Sequence, residues 1–258
     1  IGLISIFTLS SSFLWFSYSK YCSPDTLYIF FNLSSVLFLL KINKFLKEHN
    51  KNKYLFISGL FLSLPFFIRS YLQLLPLVSL FPFILFKLKK LRYKNTRYFI
   101  IGFFVGLIPL IISYYIAYRT YGVDSFIKPY MLLQGKTLNE NEIFAGFLFY
   151  PRNLILLCTP FFIFLINGTR HILKNKSREI QILLVFTPLI NIVILMLTAS
   201  KYSHYGLFTI PLLASNASFG IYESLKNKSK GSKLTLRIFG GSTLLLSTLI
   251  LIGSILNY

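Results

Sequence analysis

The residues able to do chemistry are few in this 258-residue chain, and most stand in short polar breaks between apolar runs. Arg69, in Leu64-Pro65-Phe66-Phe67-Ile68-Arg69-Ser70-Tyr71, interrupts apolar sequence on both sides with no second charge nearby. A charge at a bilayer centre costs about 2.5–3.5 kcal/mol even on the mild insertion scale, so an arginine retained in such a stretch is a functional candidate. Its planar guanidinium can grip a phosphate through two parallel hydrogen bonds. Asp25 follows Ser23-Pro24 where the next apolar run begins. The position suits a first-turn acid at a helix N-terminus. It also suits a carboxylate at a membrane surface that orients or deprotonates a hydroxyl. Ser200-Lys201-Tyr202-Ser203-His204-Tyr205-Gly206 sets a cation, an imidazole and two phenols between two apolar runs. Such a cluster can form an interfacial aromatic belt with a snorkelling lysine, but the close spacing of Lys, His and two Tyr between two spans favours an anion or sugar site.

Other motifs carry less. Gln134-Gly135-Lys136-Thr137 resembles the end of a phosphate-binding P-loop, but Tyr130 stands where the first glycine is needed, so nucleotide binding is excluded. Cys22 and Cys158 make neither a disulfide framework nor a metal pattern. No cofactor is demanded by any motif. A divalent metal would have to be held by His204 with Glu140 or Glu142, a weak ligand set. Asn-x-Ser/Thr triplets at Asn32, Asn167, Asn175, Asn216 and Asn227 read as chance in an Asn-rich chain.

The elements that must position these residues are apolar helices. Hydrophobic residues make up 55% of the chain and charged residues 13%, with a mean hydropathy of +0.65. A soluble domain carries about 25% charged residues. An ordinary soluble enzyme is therefore excluded, and a net charge of +20 does not indicate a nucleic-acid partner. A hydrocarbon core of ~30 Å needs roughly 17–25 apolar residues as a helix. Candidate spans are 1–17, 26–42, 98–118, 151–168, 181–199, 206–222 and 237–257. The stretch 54–86 is too long for one span and divides into 54–68 and 71–86, with Arg69 at the turn. The expectation is an all-α polytopic membrane helix bundle of about nine transmembrane helices, forming a single transmembrane domain over 1–258. Ile1 opens directly into an apolar run, as in a chain cut inside a membrane helix.

Segments 41–53, 87–97, 170–179 and 223–237 gather most of the 27 basic residues. The positive-inside rule makes all four cytoplasmic. Segments 41–53 and 87–97 then need an even number of spans between them, which two helices supply and one does not. Asp25, Arg69, Lys201 and His204 all fall on the outer face, where loop 119–150 is the longest polar stretch. The expected location is a cell (inner or plasma) membrane, crossed several times.

The order of these landmarks is similar to a family of bacterial membrane glycosyltransferases. The resemblance rests on Pro24-Asp25 opening a helix and on Ser58-Gly59-Leu60-Phe61-Leu62-Ser63-Leu64-Pro65 leading to Arg69-Ser70-Tyr71-Leu72-Gln73-Leu74-Leu75-Pro76. It rests also on Ser200-Lys201-Tyr202-Ser203-His204-Tyr205 before Ile210-Pro211-Leu212-Leu213-Ala214. The chain resembles the protein O-mannosyltransferase and aminoarabinose-transferase type (family 39 and 83-like, glycosyltransferase C fold). Arg69 stands where lysine is commoner, and the family's first-loop acidic residue would fall before Ile1.

The resemblance implies transfer of a sugar from a polyprenyl-phosphate donor to a lipid, glycan or protein acceptor on the extracytoplasmic side. It implies Asp25 as catalytic carboxylate, Arg69 and Lys201 as binders of the donor phosphate, and Tyr205, His204 and Tyr71 as donor or acceptor contacts. Membrane lipids are the surrounding partner, with no nucleic acid. A transporter or flippase of lipid-linked saccharides would want polar residues through the full membrane depth, whereas here they gather at one face. A saccharide polymerase or ligase would use the same donors.

Overall fold

A computed structural model describes residues 1–12, 15, 23–42, 47–90, 93–123, 148–157, 161–197, 203–226, 237, 239–241 and 248. Among these the chain is all-α, with no strand. The helices are α1 (Gly2–Ser10), α2 (Pro24–Lys41), α3 (Glu48–Ser63), α4 (Pro65–Arg69), α5 (Leu74–Lys89), α6 (Tyr93–Tyr121), α7 (Phe149–Leu157), α8 (Leu165–Asn175), α9 (Arg178–Leu197) and α10 (Thr209–Lys226). Short 3₁₀ turns occupy Ser70–Gln73, Phe161–Phe164 and Ser203–Gly206.

Among the described residues two helices, Asn95–Tyr121 and Arg178–Leu197, are long and apolar enough to cross a membrane. The expected spans 26–42 and 206–222 correspond to α2 and α10, of 18 residues each. Among the described residues of the run 1–17, Gly2–Ser10 are helical, the chain turns at Ser11, and Trp15 is again helical. Ser10 and Ser11 donate their hydroxyls back to the carbonyls of Phe7 and Thr8, and Ser12 Oγ accepts from Trp15 N–H. Serine side chains that compete for backbone groups in this way favour a helix break. Of the run 151–168, residues 158–160 lie outside the described residues; α7 precedes them, and the turn Phe161–Phe164 and the start of α8 follow. Span 237–257 lies almost wholly outside the described residues.

The basic segments expected as loops are partly helical. α3 starts at Glu48, α8 runs to Asn175 and α10 to Lys226. Long charged side chains are good helix formers. At a helix end they lay their stems on apolar surface and keep their charge in water. Lys41 lies over Phe38 and Lys90 over Phe86 in this manner, with Nζ 5.6 and 4.3 Å from the ring centres.

The chain forms two compact units. In the unit built on residues 22–148, α2 and α3 run antiparallel. Phe31 meets Phe61, the Ser35 and Ser58 hydroxyls each donate to the other's carbonyl, and Phe38 meets Tyr54. α3 and α6 run parallel, since Phe56 backs onto Gly102 and Leu60 onto Gly106. A Cβ on Gly59, Gly102 or Gly106 would overlap the facing helix, so glycine permits this close approach. Lys87 Nζ reaches the Ile42 carbonyl at 3.5 Å, which brings the end of α5 to the end of α2.

These directions gather Lys41, Lys51, Lys53, Lys87 and Arg97 at one end of the unit. The lysines and arginine at the N-terminal turns of α3 and α6 oppose the helix dipole, which favours anions there. Their placement therefore follows the end of the bundle and not the helix terminus. At α6's other end stand exposed Tyr115, Tyr118 and Tyr121. At ~1.5 Å per residue α6 is about 43 Å long. It leaves Ile101, Phe104, Ile108 and Ile111 exposed along its length.

In the second unit α8 and α10 pack through Gly168 and Gly220, again too close for a side chain. Asn216 Nδ2 donates to Thr169 Oγ1 at 3.0 Å and to the Leu184 carbonyl at 3.1 Å, tying α8, α9 and α10 together. Asn191 Nδ2 donates to Thr209 Oγ1 at 2.7 Å, so α9 and α10 run antiparallel. α9 widens into a π-helical turn at Ile182–Phe186, where the Thr187 hydroxyl donates to the Ile182 carbonyl. Ser5 of α1 donates to Ser218 at 2.8 Å.

Candidate functional site

The end of the first unit remote from its lysines is built by the first turns of α2 and by the break between α3 and α5. Pro24 at the first helical position and Ser23 as cap start α2. Ser23 Oγ accepts from Asp25 N–H at 3.3 Å and donates to Asp25 Oδ2 at 2.8 Å. The break is made by a turn at Leu64, the five-residue α4 and the 3₁₀ turn Ser70–Gln73. Arg69 ends α4, in keeping with its expected place at a turn.

The fold brings Asp25 and Arg69 together. Arg69 Nη2 is ion-paired with Asp25 Oδ2, the oxygen that also accepts from Ser23. Asp25 is buried, while about a quarter of the Arg69 side chain (24%) is exposed. Arg69 Nε is buried and has no hydrogen-bond partner among the described residues. The guanidinium thus has one arm held by a carboxylate and a further N–H donor unused. The oxygens of a phosphate can take such donors.

From Asp25 a row of polar side chains continues along α2, and beyond Asp25 no sequence motif singles it out. Asp25, Tyr28, Asn32 and Ser35 are spaced three, four and three apart, which puts them on one helix face. All four are buried. Tyr28 OH donates to the Leu72 carbonyl at 3.1 Å. Asn32 and Gln73 exchange amide hydrogen bonds at 2.9 and 2.8 Å, and Gln73 Nε2 also donates to the Leu62 carbonyl at 2.8 Å. The periodicity along α2 is a usable signal for this row. As sequence, Asn32 stands out only through a triplet that reads as chance.

The other expected site residues are divided. His204 and Tyr205 lie in the 3₁₀ turn Ser203–Gly206, with ring centres 4.6 Å apart and planes at 81°. Edge-to-face contacts of this kind fix both rings. Tyr71 lies in the turn Ser70–Gln73, two residues beyond Arg69. Lys201 and the acidic pair Glu140 and Glu142 lie outside the described residues. Among those described, no group of three His, Cys, Asp or Glu side chains could hold a metal. Comparison with protein-family models, with curated protein sequences and with solved structures finds no match for the chain.

Proposed function

We propose that the chain is a multi-pass membrane glycosyltransferase of about nine spans, which moves a sugar from a polyprenyl-phosphate donor to an acceptor on the extracytoplasmic side. The observation that carries this reading is the Asp25–Arg69 pair at the end of the bundle opposite the lysines. The basic end faces the cytoplasm by the positive-inside rule. The tyrosine-rich end of α6, together with the Asp25–Arg69 pair, then lies at the outer interface. The exposed apolar flank of α6 faces lipid, and its length of about 43 Å suffices to cross a bilayer.

In the reaction an acceptor hydroxyl oxygen attacks the anomeric carbon of the donor sugar. The bond from that carbon to the phosphate oxygen breaks, and its electron pair leaves with the polyprenyl phosphate. Negative charge grows on the leaving phosphate, where the Arg69 guanidinium meets it. Asp25 orients the acceptor hydroxyl and takes its proton. The donor's sugar–phosphate bond supplies the driving force, so no nucleotide takes part.

The test is to reconstitute the full-length gene product in vesicles with polyprenyl-phosphate sugars labelled in the sugar. Label is expected to leave the donor and appear on acceptor material, with free polyprenyl phosphate released. Donor that crosses leaflets uncleaved would overturn the reading in favour of a flippase. The orientation has its own check. Cysteine introduced at Val123 is expected to react with an impermeant maleimide from outside the cell, and cysteine at Lys90 only after the membrane is opened. The reverse pattern would invert the assignment of sides.

A further inference from the structure

We propose that Tyr28, Asn32 and Gln73 are positioning residues, which hold the turn bearing Arg69 in the orientation needed to bind a prenyl phosphate. This inference rests on the reading of Arg69 as an anion-binding residue and adds how that residue is aimed.

The segment between α3 and α5 cannot hold its own shape. α4 has five residues and the following turn four. Isolated helices shorter than roughly 12–15 residues are marginal even in favourable sequence. What fixes the segment is therefore its bonding to neighbours. Gln73 is fully buried and ties three pieces of chain together, since its amide meets Asn32 of α2 and the Leu62 carbonyl of α3. Asn32 is also fully buried, and it donates to the Tyr28 carbonyl within its own helix at 2.9 Å. Tyr28 OH donates to the Leu72 carbonyl, one residue before Gln73.

The two amides satisfy each other from both sides, an arrangement with one geometry. A register slip between α2 and the turn would leave buried donors and acceptors unpaired, which is costly in an apolar interior. Arg69 lies four residues before Gln73, and Asp25 lies seven before Asn32 on the same face of α2. The lock therefore sets where the guanidinium stands relative to the carboxylate. Misplacement of a binding group by about 1 Å is enough to cost heavily in a site that depends on orientation.

The experiment uses the full chain in detergent, with farnesyl phosphate as probe and farnesol as its uncharged control, both followed by calorimetry. Thermal unfolding identifies the variants that keep the native fold. Replacing both amides, Asn32→Leu with Gln73→Leu, leaves neither amide facing an orphaned partner amide and preserves apolar packing. This pair is expected to weaken farnesyl phosphate binding about tenfold, within the range of coupling between neighbouring residues. Farnesol binding should not change. The exchange Asn32→Gln with Gln73→Asn is expected to restore phosphate binding. Tyr28→Phe, which removes one hydroxyl, gives a smaller loss in the same direction and carries the test if the leucine pair does not fold.

Folded variants that bind farnesyl phosphate as well as wild type, while Arg69→Ala does not bind it, would overturn the positioning role and leave the Arg69 site standing. An equal loss of farnesol binding would also overturn it, since the effect would then be structural. Unchanged binding in Arg69→Ala would overturn the Arg69 reading, and the positioning role with it.

Discussion

Arg69→Ala is expected to lower sugar transfer by about 10²–10³-fold, the usual cost of removing a group that meets charge developing in the transition state. The loss should fall on kcat more than on KM, because the charge on the phosphate is greatest as the sugar departs. Asp25→Ala is expected to cost a similar factor for two reasons. It removes the carboxylate that takes the acceptor proton, and it releases the arm of the guanidinium held at Nη2. Residues that share one ion pair do not act independently. The double variant is therefore expected to be little worse than either single one. Initial rates with a polyprenyl-phosphate sugar donor, measured on all three proteins, check this. Two losses that multiply would show that Asp25 and Arg69 work separately, and full activity in both single variants would remove the pair from the site.

Gly102→Leu is expected to have the largest effect on folding. Its side chain would be driven into the backbone of Phe56, and helix backbones cannot yield as a flexible side-chain tip can. Overpacking of this kind costs about 1–3 kcal/mol and sometimes more. The leucine would force apart α3 and α6, whose close packing sets the direction of both helices. The midpoint of thermal unfolding in detergent should fall sharply, and the protein should no longer run as a single peak in size-exclusion chromatography. Gly102→Ala should fall between the leucine variant and wild type. Gly2→Ala is the control, because a Cβ there meets nothing within 4 Å. A Gly102→Leu protein as stable as the Gly2→Ala control would show that α3 and α6 do not pack this closely.

Much of the helical layout is legible from hydropathy. The break carrying Arg69 is visible because no single span accommodates 54–86 with a charge inside it. The structure puts that break at Leu64–Gln73, wider than a turn at one residue. Helix ends are less legible. Lysine, arginine and asparagine read as loop by hydropathy, yet they extend α3, α8 and α10, since their stems pack while their heads stay solvated. The close approach of α3 and α6 does have a sequence signal in Gly102 and Gly106, four residues apart, which matches small-residue helix packing.

The candidate site is legible as separate residues and not as a site. Asp25 and Arg69 each stand out for their own surroundings, one at a helix start and one in an apolar stretch. Nothing in either stretch says that they meet. Asn32 and Gln73 do not stand out, because one amide in an apolar run has no meaning without its partner. Their value comes from mutual satisfaction across 41 residues of chain.

By itself, then, the sequence determined that the chain is helical, where Arg69 interrupts it, and that basic residues gather in a few segments. These properties depend on composition and spacing along a single element. The positive-inside rule already set the basic ends of α2, α3, α5 and α6 on one side; only the tertiary structure decided that Phe56 packs on Gly102, that Asp25 holds Arg69, and that Asn32 locks against Gln73. Each of these depends on which helix faces meet, in which direction and at which register. That choice is made by close packing at glycines and by the pairing of buried polar groups, which a pattern along one helix can mark but cannot assign to a partner.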